Sequence, residues 1–338
     1  MTTRIRWMAL LAVATVVIAA AATYGVMSFL GYQERQSNPS AVDVVASTSP
    51  PTGPRVVFRN TAPGQGYGLV ASVALDDPSG ERVLTEQACD RVHQADRVTI
   101  CLRTNRGIAT TFEAVLLGPA GAELDSWPLP GIPSRTRVSP DSELVASTSF
   151  VTGMAYATVG FSTQTVIRGA DGEDFGDLED FTTLIDGETL VAVDRNFWGV
   201  TFGPDGNTFY ATAASGSQTW LVRGDLDART LTSVREDAEC PSLSPNGRRI
   251  AYKMNTSTGA SAHWAIAVLD LTTGRQSILG EQRSVDDQVE WLDDETLLYG
   301  LPNPDAPGDS DVWSIPIEGG SAPSLFIPHA WSPAVVLG

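Results

Sequence analysis

Residues 240–254 read CPSLSPNGRRIAYKM, and their reading decides the fold. Residues 241–243 close one extended run. Ser244-Pro245-Asn246-Gly247 is a turn signal, because proline presets φ for a turn and Asn-Gly tolerates positive φ. Ile250-Ala251-Tyr252 then opens a second strand from β-favouring residues. A single copy would predict a hairpin.

The unit recurs. Comparable turns stand at Ser139-Pro140-Asp141-Ser142, Gly203-Pro204-Asp205-Gly206 and, degenerate, Leu292-Asp293-Asp294-Glu295. A weaker version is Gln94-Ala95-Asp96-Arg97, and the last is Ser332-Pro333. First positions at 94, 139, 203, 244, 292 and 332 give intervals of 45, 64, 41, 48 and 40. Four of the five intervals suit a four-stranded propeller blade of roughly 40–50 residues. The long one is predicted to hold an insertion at 169–180, and within 181–195 either 182–185 or 189–193 could be the fourth strand. At the start, residues 55–59 read as a second strand lacking its first. At the end, residues 330–336 read as a first strand lacking its blade. Joined, they complete one blade and leave no open edge. The prediction is an all-β, six-bladed propeller of four-stranded blades over 55–338, closed by a split terminal blade.

The pattern [W/F/L]-S-P-[DN]-G-x-x-[IL]-[AL]-[YF] stands at residues 243–252 and 202–210, and in altered form at 291–299 and 331–335. It resembles the PD40 (WD40-like) repeat of the TolB-like bacterial β-propellers. TolB itself is a soluble periplasmic protein with an α/β domain ahead of its propeller. The resemblance implies an extracytoplasmic propeller linked to translocation or envelope maintenance. Here a membrane segment and a linker stand where that domain would be.

The chain before residue 55 divides in three. Residues 1–6 carry Arg4 and Arg6, and residues 7–33 are an uncharged, largely apolar run. About 20 such residues span a bilayer as a helix, and leading arginines predict a cytoplasmic N-terminus. This favours a single-pass signal anchor with the propeller outside the cell membrane. The alternative is a cleaved signal peptide, with small residues at Ala20-Ala21-Ala22 and a secreted product. Residues 34–54, rich in Ser, Pro and Thr, read as a flexible linker.

Of 338 residues, 40 are acidic and 22 basic, a formal net charge of −18. Nucleic-acid binding needs basic surface, so it is not expected; cations or basic partners are favoured. Cys89 and Cys101 flank a turn and could close a disulfide, as export permits, or stay as two buried thiols. Cys240 has no evident mate and reads as core.

Propellers bind along the channel or on the face whose loops lead into the innermost strands. Those lead-in loops carry Phe197, Trp198, Asp237, Glu239, Asp286, Asp287 and Glu290, the candidate binding residues for a basic peptide, a cation or a sugar. The plainer reading is an acidic solvated rim with aromatics packed between blades. Trp291 and Trp331 are expected in the interblade core, and Phe197 and Trp198 in exposed contact. The acid-rich stretch 171–180 offers Asp171, Glu173, Asp174 and Asp177 as weak calcium candidates, although its spacing lacks the twelve-residue calcium-loop pattern and a mobile acidic loop is favoured. No other cofactor or metal site is expected, and His93, His263 and His329 fall in different blades. No Gly-x-Ser-x-Gly, Ser-x-x-Lys, phosphate loop or Cys-x-x-Cys is present,. The expectation is a non-catalytic module that binds an envelope protein or peptide. The alternative is a calcium-dependent hydrolase or lactonase working in the channel, which would need three or more carboxylate or Asn ligands around one axial point.

Overall fold

The computed structural model describes residues 3–37, 39–46, 53–107, 109–151, 162–259, 261–318 and 320–337. Six sheets form the ring, each with its innermost strand first in the repeat and its neighbours following outward. Blades 2 to 6 begin with inner strands Arg91–Gln94, Gly131–Val138, Asn196–Phe202, Glu239–Leu243 and Glu290–Trp291. Blade 1 takes its inner strand, Ala330–Val336, from the C-terminal end and its next three from Arg55–Asn60, Leu69–Ala74 and Arg82–Ala88. Arg55 pairs with Val336 and Asn60 with Ala330, so the ring closes by the split blade.

The turn chemistry explains why the repeat is written as it is. Ser244 Oγ accepts the Arg249 N–H at 3.0 Å, while the backbone closes through Gly247 N–H to Ser244 O at 2.8 Å. The same hydroxyl role falls to Ser139, whose Oγ accepts the Leu144 N–H at 2.8 Å. Asn246 N–H donates to Asp294 Oδ1 of the next turn at 3.0 Å, so adjacent turns are tied together. Between blades, apolar faces pack: Tyr252 and Tyr299, from the second strands of blades 5 and 6, are fully buried.

Several expectations change. Ser332-Pro333 is not a turn: it lies inside the closing inner strand, at a bulge where Trp331 pairs with Arg59 and Ala334 with Val57. Ser332 has φ 58°, matching Cys240 at 51° and Gly199 at 68°, which occupy the bulges of blades 5 and 4. The dipeptide thus mimics Cys240-Pro241, not Ser244-Pro245. Gly199 is required at its position, since a Cβ there would come within 2.7 Å of the Cys240 Cα,.

The stretch 169–180 is not an insertion. Asp174–Asp177 is the outer strand of blade 3, and Leu178–Asp180 is a short 3-10 turn whose Leu178 is buried in the interblade core. The extra residues follow it: Thr182–Ile185 pairs in parallel with the outer strand of blade 4, and Glu188–Thr189 folds back on it, making that sheet six-stranded. Nor is the linker wholly free. Val44–Ala46 adds a parallel strand outside Arg82–Ala88, with Val44 packed on the blade 1 core. Residues 47–52 of the expected linker lie outside the described residues.

Cys89 and Cys101 are bridged, with Cα atoms 5.4 Å apart, at the junction of blades 1 and 2. Cys240 is a buried free thiol. The N-terminal helix spans Thr3–Ser37, and its segment Leu10–Gly31, with a mean hydropathy of 2.1, is long and apolar enough to cross a membrane,. No part of that segment is buried against the propeller.

Candidate functional site: the central channel and its lead-in mouth

Alternate residues on a strand face one side of it, so inner-strand residues two apart both face the channel. Arg91 and His93 of blade 2, and Arg135 and Arg137 of blade 3, form two such pairs. Opposite them, the connection from blade 5 to blade 6 dips into the axis through residues 286–290, sequence DDQVE.

This pentapeptide touches every other blade. Asp286 pairs with Lys253 of blade 5, and its carbonyl accepts from Arg135 of blade 3 at 3.2 Å. Asp287 pairs with Arg91 of blade 2 at 2.9 Å. Gln288 donates to Val200 O of blade 4 at 3.0 Å and to Pro241 O of blade 5 at 2.7 Å. Glu290 reaches across the ring to Arg137, and its Oε1 accepts the Val335 N–H of blade 1 at 3.3 Å. His93 completes the cluster: Val138 N–H donates to its Nδ1 at 3.1 Å, leaving Nε2 3.5 Å from Glu290 Oε2. Burial opposes the Glu290 charge, but Arg137 and then His93 outweigh it and hold its pKa down to about 2,. Burial, in turn, pushes the His93 pKa down. The channel is therefore plugged at its waist by paired charges.

Above the plug, on the lead-in face, opens a cavity of about 950 Å³. Blades 3, 4 and 5 wall it with Arg135, Asn196, Trp198, Lys253 and Trp264, and Asp286 closes its edge. The Lys253 ammonium lies 4.1 Å from the Trp264 ring centroid and 3.4 Å from Glu239,. Burial pushes the Glu239 carboxyl up. Asp194 lines the rim and is held by Ser215 Oγ at 2.7 Å and Gly216 N–H at 2.9 Å. Below the plug, the turn-face mouth is a smaller cavity of about 390 Å³, lined by Pro140, Pro204, Pro245 and the C-terminal Val336-Leu337.

The sequence candidates separate accordingly. Glu239 and Asp286 lie at the cavity. Asp287 and Glu290 are buried in the plug; Glu290 also borders the turn-face cavity rather than the lead-in one. Asp237 is exposed but off the cavity, its N–H bonded to Thr219 O at 2.9 Å. Phe197, 1% exposed, is interblade core, because its side of the strand meets blade 3 and not solvent. Trp198 is mostly buried against Ala214 and Cys240, with an edge on the cavity. Trp291 is core, as expected, donating to Ser242 O at 2.9 Å. Trp331 is not: it is half-buried beneath the Arg91 guanidinium, 4.8 Å from the ring centroid. Sequence reasoning missed Arg91, Arg135 and Arg137. The signal for them was the alternation in Arg91-Val92-His93 and Arg135-Thr136-Arg137 just before two turn units.

The calcium candidates do not converge. Asp171 accepts the Glu173 N–H at 3.0 Å, Asp174 pairs with Arg168 at 3.1 Å, and Asp177 caps the 3-10 turn at Glu179 N–H, 3.0 Å away. Glu173 joins the turn only through its backbone, its carbonyl accepting the Gly169 N–H at 2.8 Å. Among the described residues, no group of three or more His, Cys, Asp and Glu is placed to hold a metal ion.

No family model matches the sequence, and no curated protein matches it. Solved structures do match its fold. TolB from Acinetobacter baumannii superposes with a TM-score of 0.56 at 15% identity, over 84% of this chain and 66% of that one. The chain thus spans just under two thirds of that TolB. A chain of the nidogen/laminin complex matches with a TM-score of 0.54 at 11% identity, over 84% of this chain and 98% of that one. The repeat, the split closure and these superpositions agree: the chain is a six-bladed β-propeller with a TolB-like fold and one apolar N-terminal helix.

Proposed function

We propose that this propeller is a non-catalytic binding module, tethered outside the cell membrane by its N-terminal helix, that takes a segment of an envelope protein or peptide into its lead-in cavity. The observation that carries the reading is the cavity of about 950 Å³ above a closed waist, walled by Trp198 and Trp264 beside charged groups. Such a blind, amphipathic pocket suits a side-chain anchor better than a passage. The plug supports the absence of catalysis: Asp287 and Glu290 are committed to Arg91 and Arg137, and Glu239 and Asp286 to Lys253. A general acid or base needs a free carboxylate within reach of substrate. These pairs also weaken the ground for preferring a basic partner, since Glu239, Asp286, Asp287 and Glu290 already hold cations. Arg4 and Arg6 ahead of the apolar helix support a cytoplasmic N-terminus,.

The test is affinity capture from envelope membranes with the full chain, beside a Ser217→Trp variant that fills the cavity from its exposed rim. Wild type is expected to recover a reproducible protein partner that the variant loses. Equal recovery by both, or none by either, rejects the reading.

A further inference from the structure

Four cations line the channel and its lead-in mouth, and three are matched. Arg91 has Asp287 at 2.9 Å, Arg137 has Glu290, and Lys253 has Glu239 and Asp286. Arg135 is different. Among the described residues, no carboxylate lies within 4.0 Å of its guanidinium, although Asp286 and Asp287 act on its charge from farther off; its donors go to Ser134 O at 2.9 Å, Asp286 O at 3.2 Å and the Cys240 side chain, and its buried Nε has no protein partner. These bonds fix the planar group, and the residue lines the floor of the cavity.

A fixed guanidinium with unspent donors at the base of a cavity is built to receive a planar anion in two parallel hydrogen bonds. Trp198, Ala214 and Trp264 give the cavity apolar surface among otherwise polar walls, so a carboxylate seated against them would be partly shielded from water, where such bonds strengthen,. Lys253 cannot play this part, because its charge is held by Glu239 and Asp286 at the rim.

We infer that the lead-in cavity is a carboxylate-recognition site: it anchors an acidic residue or the free C-terminus of a bound protein segment on Arg135, flanked by Trp198 and Trp264. This deepens the binding role proposed above and rests on it. The partner presents a carboxylate, the reverse of what the chain's net charge of −18 suggests. The local cation, which no carboxylate touches directly, decides, because screening confines the wider field to about 8–10 Å in physiological salt.

The test pans a random heptapeptide display library against the full chain in nanodiscs, in parallel with Arg135→Gln and Arg135→Lys. Wild type is expected to enrich peptides carrying Asp or Glu; Arg135→Gln loses that enrichment, and Arg135→Lys keeps it in weakened form. Synthetic copies of an enriched peptide then separate the two sources of carboxylate. Glu→Gln replacement is expected to weaken binding about tenfold or more if the side chain is the anchor, and C-terminal amidation does so if the terminus is. Enrichment of peptides that lack acidic residues and keep their affinity when C-terminally amidated, or enrichment unchanged in a folded Arg135→Gln protein, overturns the carboxylate site and leaves the binding module standing. No enrichment on wild type overturns both.

Discussion

Residues 244–247 and 286–290 are both short connections in one ring, yet they hold it together in opposite ways. The first is a repeat turn: Ser244 and Gly247 bond within the hairpin, and Asn246 reaches only the next turn. The second is unique, and its five residues bond to all five other blades. A repeat is stabilised by neighbours, so damage to it stays local. A plug that spans the ring couples blades that never touch, and damage to it should be felt everywhere.

The largest expected effect follows from breaking the plug at Glu290. Glu290→Gln leaves Arg137 buried without a carboxylate, which costs about 3–5 kcal/mol, measured by chemical unfolding of the full chain. A loss below about 1 kcal/mol would show that the ring does not depend on this pair. The pH dependence carries the same signature. Glu290 has a folded pKa of about 2 against 4.5 for the free group, so its contribution is complete above 4.5 and disappears as pH falls towards 2,. His93 is depressed below 6.5, so the unfolded chain takes its proton first and stability already starts to fall below that pH. Between pH 4.5 and 2, wild type should lose up to about 1.4 kcal/mol per pH unit from Glu290, and Glu290→Gln should lose that slope.

A covalent staple between neighbours gives the intermediate case. The Cys89–Cys101 bridge closes a short loop, with a sequence separation of 12. Replacing both with serine is expected to lower stability by about 3 kcal/mol. Hydrogen exchange should rise first at the blade 1–2 junction, and a rise spread evenly round the ring would contradict the local role. Smaller still is the repeat turn itself. Gly247 sits at φ 70° with open space where a Cβ would go, so Gly247→Ala meets only backbone strain, about 1–2 kcal/mol, read as a shift in the unfolding midpoint with no change in slope.

This division also explains what the sequence could tell. The ring was legible because turn chemistry is local: Ser-Pro-Asn-Gly announces itself wherever it occurs, and its spacing counts blades. The same local reading misled at Ser332-Pro333, where a dipeptide with turn chemistry occupies a bulge that Cys240-Pro241 occupies in blade 5. It also misled at 171–180, where acids that look mobile cap turns and pair with Arg168. The plug was half legible. Asp286, Asp287 and Glu290 stood out as acids in a lead-in loop, but their partners lie 33, 196 and 153 residues away, and nothing local joins them. Phe197 was misplaced for a related reason: which face of a strand meets the next blade depends on the bulge at Gly199, a tertiary feature.

The sharpest use of the comparison lies between two adjacent carboxylates. Asp287 has a side chain only 2% exposed and belongs to the plug, whereas the Asp286 side chain is 65% exposed and belongs to the cavity. Asp286→Asn should therefore change stability by less than about 1 kcal/mol, because its carboxylate, though paired with the buried Lys253 ammonium, stands mostly in water,. Lys253 keeps Glu239 at 3.4 Å, so its ammonium is not stranded. The effect should appear at the site instead. With Asp286 neutral, Lys253 is less fully matched, and the cavity floor holds Arg135 beside a second cation with charge to spare. The acidic heptapeptides selected on wild type should then bind the Asp286→Asn protein more tightly, by a few-fold, in titrations at low salt, and the gain should shrink at high salt. A weaker or unchanged affinity would mean that Asp286 acts by holding Arg135 through its carbonyl alone, and that its carboxylate takes no part in setting the charge of the cavity.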